Sequence, residues 1–252
     1  MEQRYNAFKN DENDVWKYRF TWRGLYGDKG YHAINIFKFF KETDCQEALR
    51  DIKNVNTFYK KVSDLAEKYS KWCFGKEYHA EEELSDIRDF FVGAIGEFFF
   101  VYLLNNVSVI SVIGNEGKKY DFNFVSPLLK GEKDWGVDMT GVVSDTDGDR
   151  NCVMQVKFWN PYLPKKIQLD TVQKAFAEGI LNNFIYSNEY HNVVICWLGD
   201  EEKSVSRFLK ENELLSKHVI LIGKKTLNET INERNGIFWK SIVDNLKEFS
   251  KN

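Results

Sequence analysis

Cysteine and proline are both scarce in this chain. Its four cysteines (Cys45, Cys73, Cys152, Cys196) lie far apart, with no C-x-x-C pair and no Cys/His cluster at zinc spacing, which argues against a disulfide framework and a structural zinc site alike. Three prolines in 252 residues point to regular structure with few rigid linkers. An excess of either charge is missing too: 35 Lys and Arg stand against 38 Asp and Glu, a net charge of −3. A polybasic coat for nucleic acid is thereby excluded, and any such partner has to be met by local patches. Long apolar runs are also lacking. Residues 90–104, the most hydrophobic stretch, cover 15 positions and carry Glu97 in their middle, too short and too charged for a membrane span. The opening Met1-Glu2-Gln3-Arg4-Tyr5-Asn6 has no apolar core of a secretory signal, which predicts a cytoplasmic protein with no membrane partner. The sequons at Asn106 and Asn228 then carry no weight.

What the chain has in quantity is apolar surface: 43% of residues are hydrophobic and 15% aromatic. This rules out disorder and supports one large domain or two modest ones. Residues 46–73 place Leu49, Ile52, Val55, Phe58, Tyr59, Val62, Leu65, Tyr69 and Trp72 at the three-and-four spacing of an amphipathic helix, with Thr43 and Gln46 as a capping box. A second helix is predicted from Glu81-Glu82-Glu83 through Phe91, Ile95, Phe99 and Leu103, ending near Asn105-Asn106. Ahead of both, Trp16, Tyr18, Phe20 and Trp22 alternate with Lys17, Arg19 and Arg23, which on a strand would present rings on one face and cations on the other. These cations are candidates for phosphate contacts. We therefore divide the chain softly near residue 80, into a mainly helical N-terminal region (1–80) and a second region (81–252).

The second region alternates. Strands are predicted at 107–112, 137–143, 152–158, 193–198 and 218–222, and helices at 170–184 (with Asp170 and Gln173 as capping box), 203–212 and 237–249. Between the first two strands runs a polar stretch containing Pro127 and Gly131, although Tyr120-Asp121-Phe122-Asn123-Phe124 alternates as a strand would. Asp147-Gly148 reads as the loop of a hairpin joining 137–143 to 152–158. The pattern is that of an α/β layered fold.

That hairpin gathers chemistry. With Asp147 and Gly148 as its two loop residues, Asp138 lies opposite Lys157 and Thr140 opposite Gln155, and Asp138, Gln155 and Lys157 share one face. A carboxylate, an amide oxygen and an ammonium at one end of a sheet suit a divalent cation and a water beside a phosphodiester. The carboxylate binds the hard ion, the ion polarises the phosphoryl oxygen and acidifies the water, and the ammonium orients that water. Glu97, alone among apolar neighbours, is the candidate for a further acid, since burying it unpaired is costly. The competing readings are an ordinary Asp138–Lys157 salt bridge and a Glu97 that faces outward. Asp121 and Asp134 rival Asp138.

Three pieces carry a family resemblance: Gly93-Ala94-Ile95-Gly96-Glu97, Gly136-Val137-Asp138 and Gln155-Val156-Lys157. At these residues the sequence resembles the PD-(D/E)XK nuclease superfamily, and within it the Mrr-like restriction endonucleases, where Gln commonly replaces the acid of the E-x-K pair. Val219-Ile220-Leu221-Ile222-Gly223, followed by Lys225-Thr226-Leu227, looks like the strand and short helix after that core, and the similarity spans about residues 85–235. The resemblance implies a restriction-endonuclease-like α/β core, a central mixed β-sheet of four strands flanked by helices and preceded by the mainly helical N-terminal region. It also implies Mg²⁺, with Mn²⁺ able to substitute, held by Asp138 and the Val156 carbonyl with Glu97 assisting, while Gln155 serves the metal-water shell and Lys157 positions the nucleophile.

After the Gln155–Lys157 strand comes Phe158-Trp159-Asn160-Pro161-Tyr162-Leu163-Pro164-Lys165-Lys166, where rings and two cations suit a nucleic-acid groove, joined by Lys174 on the next helix. Other patterns fail. Asp145-Thr146-Asp147-Gly148-Asp149 hints at a calcium loop but has Arg150 and Val156 where Gly and an acid are needed. Gly24, Gly27 and Gly30 lack the context of a phosphate loop, and the four histidines have no metal-binding spacing. The sequence thus reads as a Mg²⁺-dependent DNA endonuclease of a restriction system, cutting double-stranded DNA as a homodimer. Two alternatives stay open: a nuclease-fold module that binds nucleic acid without cutting, and a structure-specific nuclease or resolvase of recombination.

Overall fold

Tyr120, Phe122 and Phe124 are buried while Lys119, Asp121 and Asn123 between them are exposed, the two-residue period of a strand with one face on a core. In the computed structural model, which describes residues 16–22, 30–34, 49, 51–74, 92–93, 95–97, 99–100, 103–127, 138–186 and 192–232, this segment belongs to the longest strand. The chain forms two compact units, one of Lys53–Asn56 and Phe99–Glu233, the other of Glu2–Ile52, Thr57–Phe98 and Arg234–Asn252.

In the second of these, β1 (Trp16–Trp22) pairs antiparallel with β2 (Gly30–Ile34), with a register shift between Trp16 and Phe20. The helix expected from residue 46 begins later, as α1 (Val55–Phe74), because Asp51 takes φ +62°, a conformation an α-helix cannot contain. Of the expected apolar face Val55, Phe58, Val62, Leu65 and Tyr69 are buried and Tyr59 is half-buried, while Ser63 and Ala66 are buried beside them. Thr43 and Gln46 lie outside the described residues, as does the expected helix at 237–249. Residues 92–93, 95–97, 99–100 and 103–106 are helical, as the sequence predicts for the end of its second helix.

The first unit is an α/β layer built on a mixed sheet of six strands, in the order β3 (Val109–Val112), β4 (Asn115–Pro127), β5 (Met139–Asp145), β6 (Gly148–Lys157), β7 (Asn192–Trp197), β8 (Val219–Ile222). The first four form an antiparallel meander, and β6, β7 and β8 run parallel. Helices α2 (Leu169–Tyr186), α3 (Lys203–Glu211) and α4 (Glu213–His218) make the crossovers, and α5 (Lys224–Asn232) follows β8. The four-stranded core that the resemblance implies is extended by two strands. Most of the extension is β4, 13 residues long, which takes in the alternating Tyr120–Phe124 and runs to Pro127.

Packing follows face by face. Val153, Val193, Ile195, Trp197, Val219 and Leu221 on one face of the sheet meet Val172 and Ala175 of α2 and Val205 and Leu209 of α3. Every residue of β7 is buried, as expected of a central parallel strand. The sheet also curls: Ile113, just past β3, bridges to Leu221 of β8, its N–H 3.3 Å from the Leu221 carbonyl, so the first strand reaches back to the last. β4 and β5 come very close at Gly141, beside a register shift between Phe124 and Ser126, where a Cβ would stand 2.4 Å from the Asn123 carbonyl and 2.7 Å from Phe124 Cα. Among the described residues no helix is long and apolar enough to cross a membrane.

Candidate functional site at one end of the sheet

The turn that sets the site's register differs from the expected one. Asp145 pairs with Gly148, leaving Thr146 and Asp147 as the loop, and Gly148 takes φ +107° as the first residue after it. This is the glycine-bulge form of a hairpin, in which the left-handed residue follows the turn instead of lying within it. An Asx turn drives the choice, because Asp145 Oδ1 accepts the Asp147 N–H at 2.8 Å. The register therefore moves by two residues. Thr140 faces Val153, not Gln155, and continuing the ladder would set Asp138 against Gln155, not Lys157. A shift of two preserves the face each side chain occupies.

At Asp138 the ladder stops. Its N–H bonds the Met154 carbonyl at 2.8 Å, one residue out of step, and its Oδ2 accepts the Val156 N–H at 2.6 Å. The carboxylate thus replaces a ladder carbonyl and is fixed beside the carboxyl end of β6. A strand residue's N–H and C=O point to the same side, so the Val156 carbonyl is directed to the edge where Asp138 sits. Gln155 is buried at 7% exposure, and Lys157 is half-buried. Lys157 takes part in no ion pair among the described residues, so the cross-strand salt bridge is not formed. Because β5 runs antiparallel to β6, its start lies at the same end as the carboxyl ends of β6, β7 and β8, where open α/β sheets bind ligands.

Glu97 is helical and half-buried but belongs to the other compact unit. Asp121 lies towards the far end of the meander, opposite Ser144, where it accepts the Ser108 hydroxyl at 2.5 Å and pairs with Lys119 at 3.4 Å. Asp134 and Arg23 are outside the described residues. Lys17 and Arg19 lie on β1. Lys165 holds its ammonium 4.1 Å from the centroid of the Trp159 ring, a cation–π contact that aligns the loop beyond β6. Lys166 is exposed beside it, and Lys174 on α2 is exposed, 3.7 Å from Glu178. Trp159, Lys165, Lys166, Gln168, Thr171 and Glu202 line an open cleft of about 300 Å³. Sequence reasoning missed Gln168, Thr171 and Glu202, which come from separate segments tied by the Ile167–Glu201 bridge.

No family model matches the chain, and no curated protein does either. Among solved structures it is similar to the MspJI restriction endonuclease in complex with a 27-mer oligonucleotide, at 16% identity and a TM-score of 0.35. The match covers 90% of this chain and 40% of that one, so the chain spans two fifths of its neighbour's length. A likeness that distant carries no functional argument, and the site is read from its own residues.

Among the described residues no three His, Cys, Asp or Glu side chains gather as a metal cluster. One carboxylate, one carbonyl and one amide are nonetheless the sparse oxygen set that suits Mg²⁺, which keeps several waters and takes few protein ligands. The hairpin acids are committed elsewhere. Asp145, its side chain fully buried, is bound by Arg150 and lies 3.0 Å from Lys118 Nζ, which also reaches Asp147 at 2.6 Å. Burial works against the Lys118 charge, but its bonds to Asp147 and Asp145 outweigh this and raise its pKa. The Lys118 bond holds Asp147 below the ordinary carboxylate value. A depressed folded pKa gives stability present above the unfolded value and lost as pH falls through the folded one. Asp147→Asn should therefore lower the urea midpoint at neutral pH and leave it unchanged in strong acid; equal shifts at both would refute the assignment. Cys152 and Cys196 are free, and burial pushes the Cys152 thiol up to about 12 and the Cys196 thiol well up, which removes both as nucleophiles.

Proposed function

We propose that the chain is a Mg²⁺-dependent endodeoxyribonuclease of the PD-(D/E)XK, Mrr-like kind, acting on double-stranded DNA as a cytoplasmic homodimer within a restriction system. The observation that carries the reading is the Asp138 carboxylate fixed by the Val156 N–H at the end of β6, at the sheet end that Gln155 and Lys157 also serve. Asp138 and the Val156 carbonyl would hold the ion, with Gln155 in its water shell. An ion held there would supply polarisation of a phosphoryl oxygen and a lowered pKa for a bound water. Lys157, uncommitted to any ion pair among the described residues, orients that water and offsets charge on the phosphate. Lys165, Lys166 and Lys174, with Lys17, Arg19 and Arg23, supply phosphate contacts.

The opposing observation is that no three His, Cys, Asp or Glu side chains gather among the described residues, which favours a module that binds without cutting. One assay decides. The full chain is incubated with supercoiled plasmid and with a four-way junction, with Mg²⁺ or with chelator, beside Lys157→Ala. Plasmid cleavage that needs Mg²⁺ and is lost in the variant supports the reading. Cutting confined to the junction assigns a resolvase, and binding without cleavage under Mg²⁺ or Mn²⁺ assigns the binding module.

A further inference from the structure

Two large apolar side chains stand in water five and six residues beyond Lys157: Tyr162 is 59% exposed and Leu163 57%. Single exposed apolar residues are ordinary on a protein surface, but these two are adjacent on one tip and are held there by construction. Asn160-Pro161-Tyr162-Leu163 is a turn closed by the Leu163 N–H on the Asn160 carbonyl at 3.2 Å, and the Asn160 side-chain oxygen accepts the Tyr162 N–H at 3.0 Å. Pro161 is buried and Pro164 follows, so the backbone enters and leaves the tip with φ fixed. The Tyr162 hydroxyl donates to the Asn56 carbonyl at 3.3 Å, a further tether. The tip is a stiff projection that is already shaped.

Its neighbours define its occupant. Lys165 and Lys166 are exposed immediately after it, with Lys165 set in place on Trp159. A rigid apolar tip flanked by cations fits a partner with a charged exterior and an apolar, stacked interior. We infer that Leu163, backed by Tyr162, is a wedge that enters the base stack of duplex DNA while Lys165 and Lys166 hold the flanking phosphates. Apolar wedges of this type unstack base steps and bend the duplex. The inference rests on the DNA-directed reading above and adds to it a contact by which the duplex is deformed beside the cleavage centre.

The test uses the full chain in chelator, so that DNA is bound but not cut, and short duplexes carrying 2-aminopurine at successive positions, a base that brightens when unstacked. Wild type should raise the fluorescence. Leu163→Ser should lose that rise while still binding, with an unchanged salt dependence. Lys165→Ala with Lys166→Ala should instead weaken binding and reduce the slope of log affinity against log salt by about 2. Binding by wild type with no rise at any position overturns the wedge and leaves the nuclease reading standing. Failure to bind any duplex removes both. A tip that serves self-association, seen as a dimer that Leu163→Ser converts to monomer with the fluorescence rise intact, also overturns it.

Discussion

Asp138→Asn is expected to lower DNA cleavage by ~10²–10³-fold, the scale of losing one fixed electrostatic group at a reacting centre, with almost no change in thermal stability. The asymmetry follows from the two tasks of this side chain. One oxygen accepts the Val156 N–H at 2.6 Å, and the Asn carbonyl can accept the same bond. The charge is what Asn removes. Asp138→Ala removes both, leaving a backbone donor without its acceptor at a cost of about 1–3 kcal/mol. The pair therefore separates fold from chemistry: both variants should be inactive, but only Ala should melt early. Near-normal cleavage by Asp138→Asn would remove Asp138 from the mechanism, and equal melting losses in the two would show that the carboxylate's charge, not its hydrogen bond, holds the strand end.

The largest effect on stability is expected at Gly141. A methyl group there would meet the Asn123 carbonyl oxygen at 2.4 Å and Phe124 Cα at 2.7 Å, and both are backbone atoms of β4 that cannot swing aside. Phe124 is further pinned by Asn105, whose side-chain oxygen accepts the Phe124 N–H at 2.8 Å and whose amide donates to the Phe124 carbonyl at 3.0 Å. Gly141→Ala should cost about 3 kcal/mol, the upper part of the overpacking range, and lower the melting midpoint by roughly 6–12 °C. Gly93→Ala is the control. It is helical with nothing within 4 Å of the added carbon, so better helix propensity should stabilise by up to about 1 kcal/mol. A calorimetric scan that finds the two variants alike would contradict the close approach of β4 and β5.

Particular residues show how far the sequence reached. Parallel strands β7 and β8 were legible because Val193-Val194-Ile195-Cys196 and Val219-Ile220-Leu221-Ile222 are continuous apolar runs, and α2 and α3 were legible from their spacing. The β4 strand was half-hidden, since its solvent face carries Lys119, Asp121 and Asn123 and only Tyr120, Phe122 and Phe124 mark the buried one. The hairpin was found but misregistered: Asp147-Gly148 is a strong turn pair, yet Asp145 captured the Asp147 N–H and moved the turn back by one residue. The shared face of Asp138 and Gln155 outlasted the error only because the slip was even. Glu97 was singled out for the chemical cost of its burial, but no local pattern could assign it to a different compact unit from Asp138. Gly141 gave no signal at all, because the contact that makes it necessary is made by residues 123 and 124 on another strand. The tip at Tyr162 and Leu163 was visible as a proline-bracketed aromatic segment, but only its exposure separates a projection from a packed loop.

The reach of Ile113 back to Leu221 governs which assemblies are open to this protein. An open sheet offers two rows of unpaired backbone groups, and either row can recruit a neighbouring chain into a continuous sheet or an aggregate. Here the first strand's exit is hydrogen-bonded to the last strand, and α5 lies against β3. Both rims are thereby partly occupied from within. Two copies cannot simply zip β3 or β8 together at that point, and unfolding that frees Ile113 from Leu221 would expose backbone groups of both strands to edge-to-edge association.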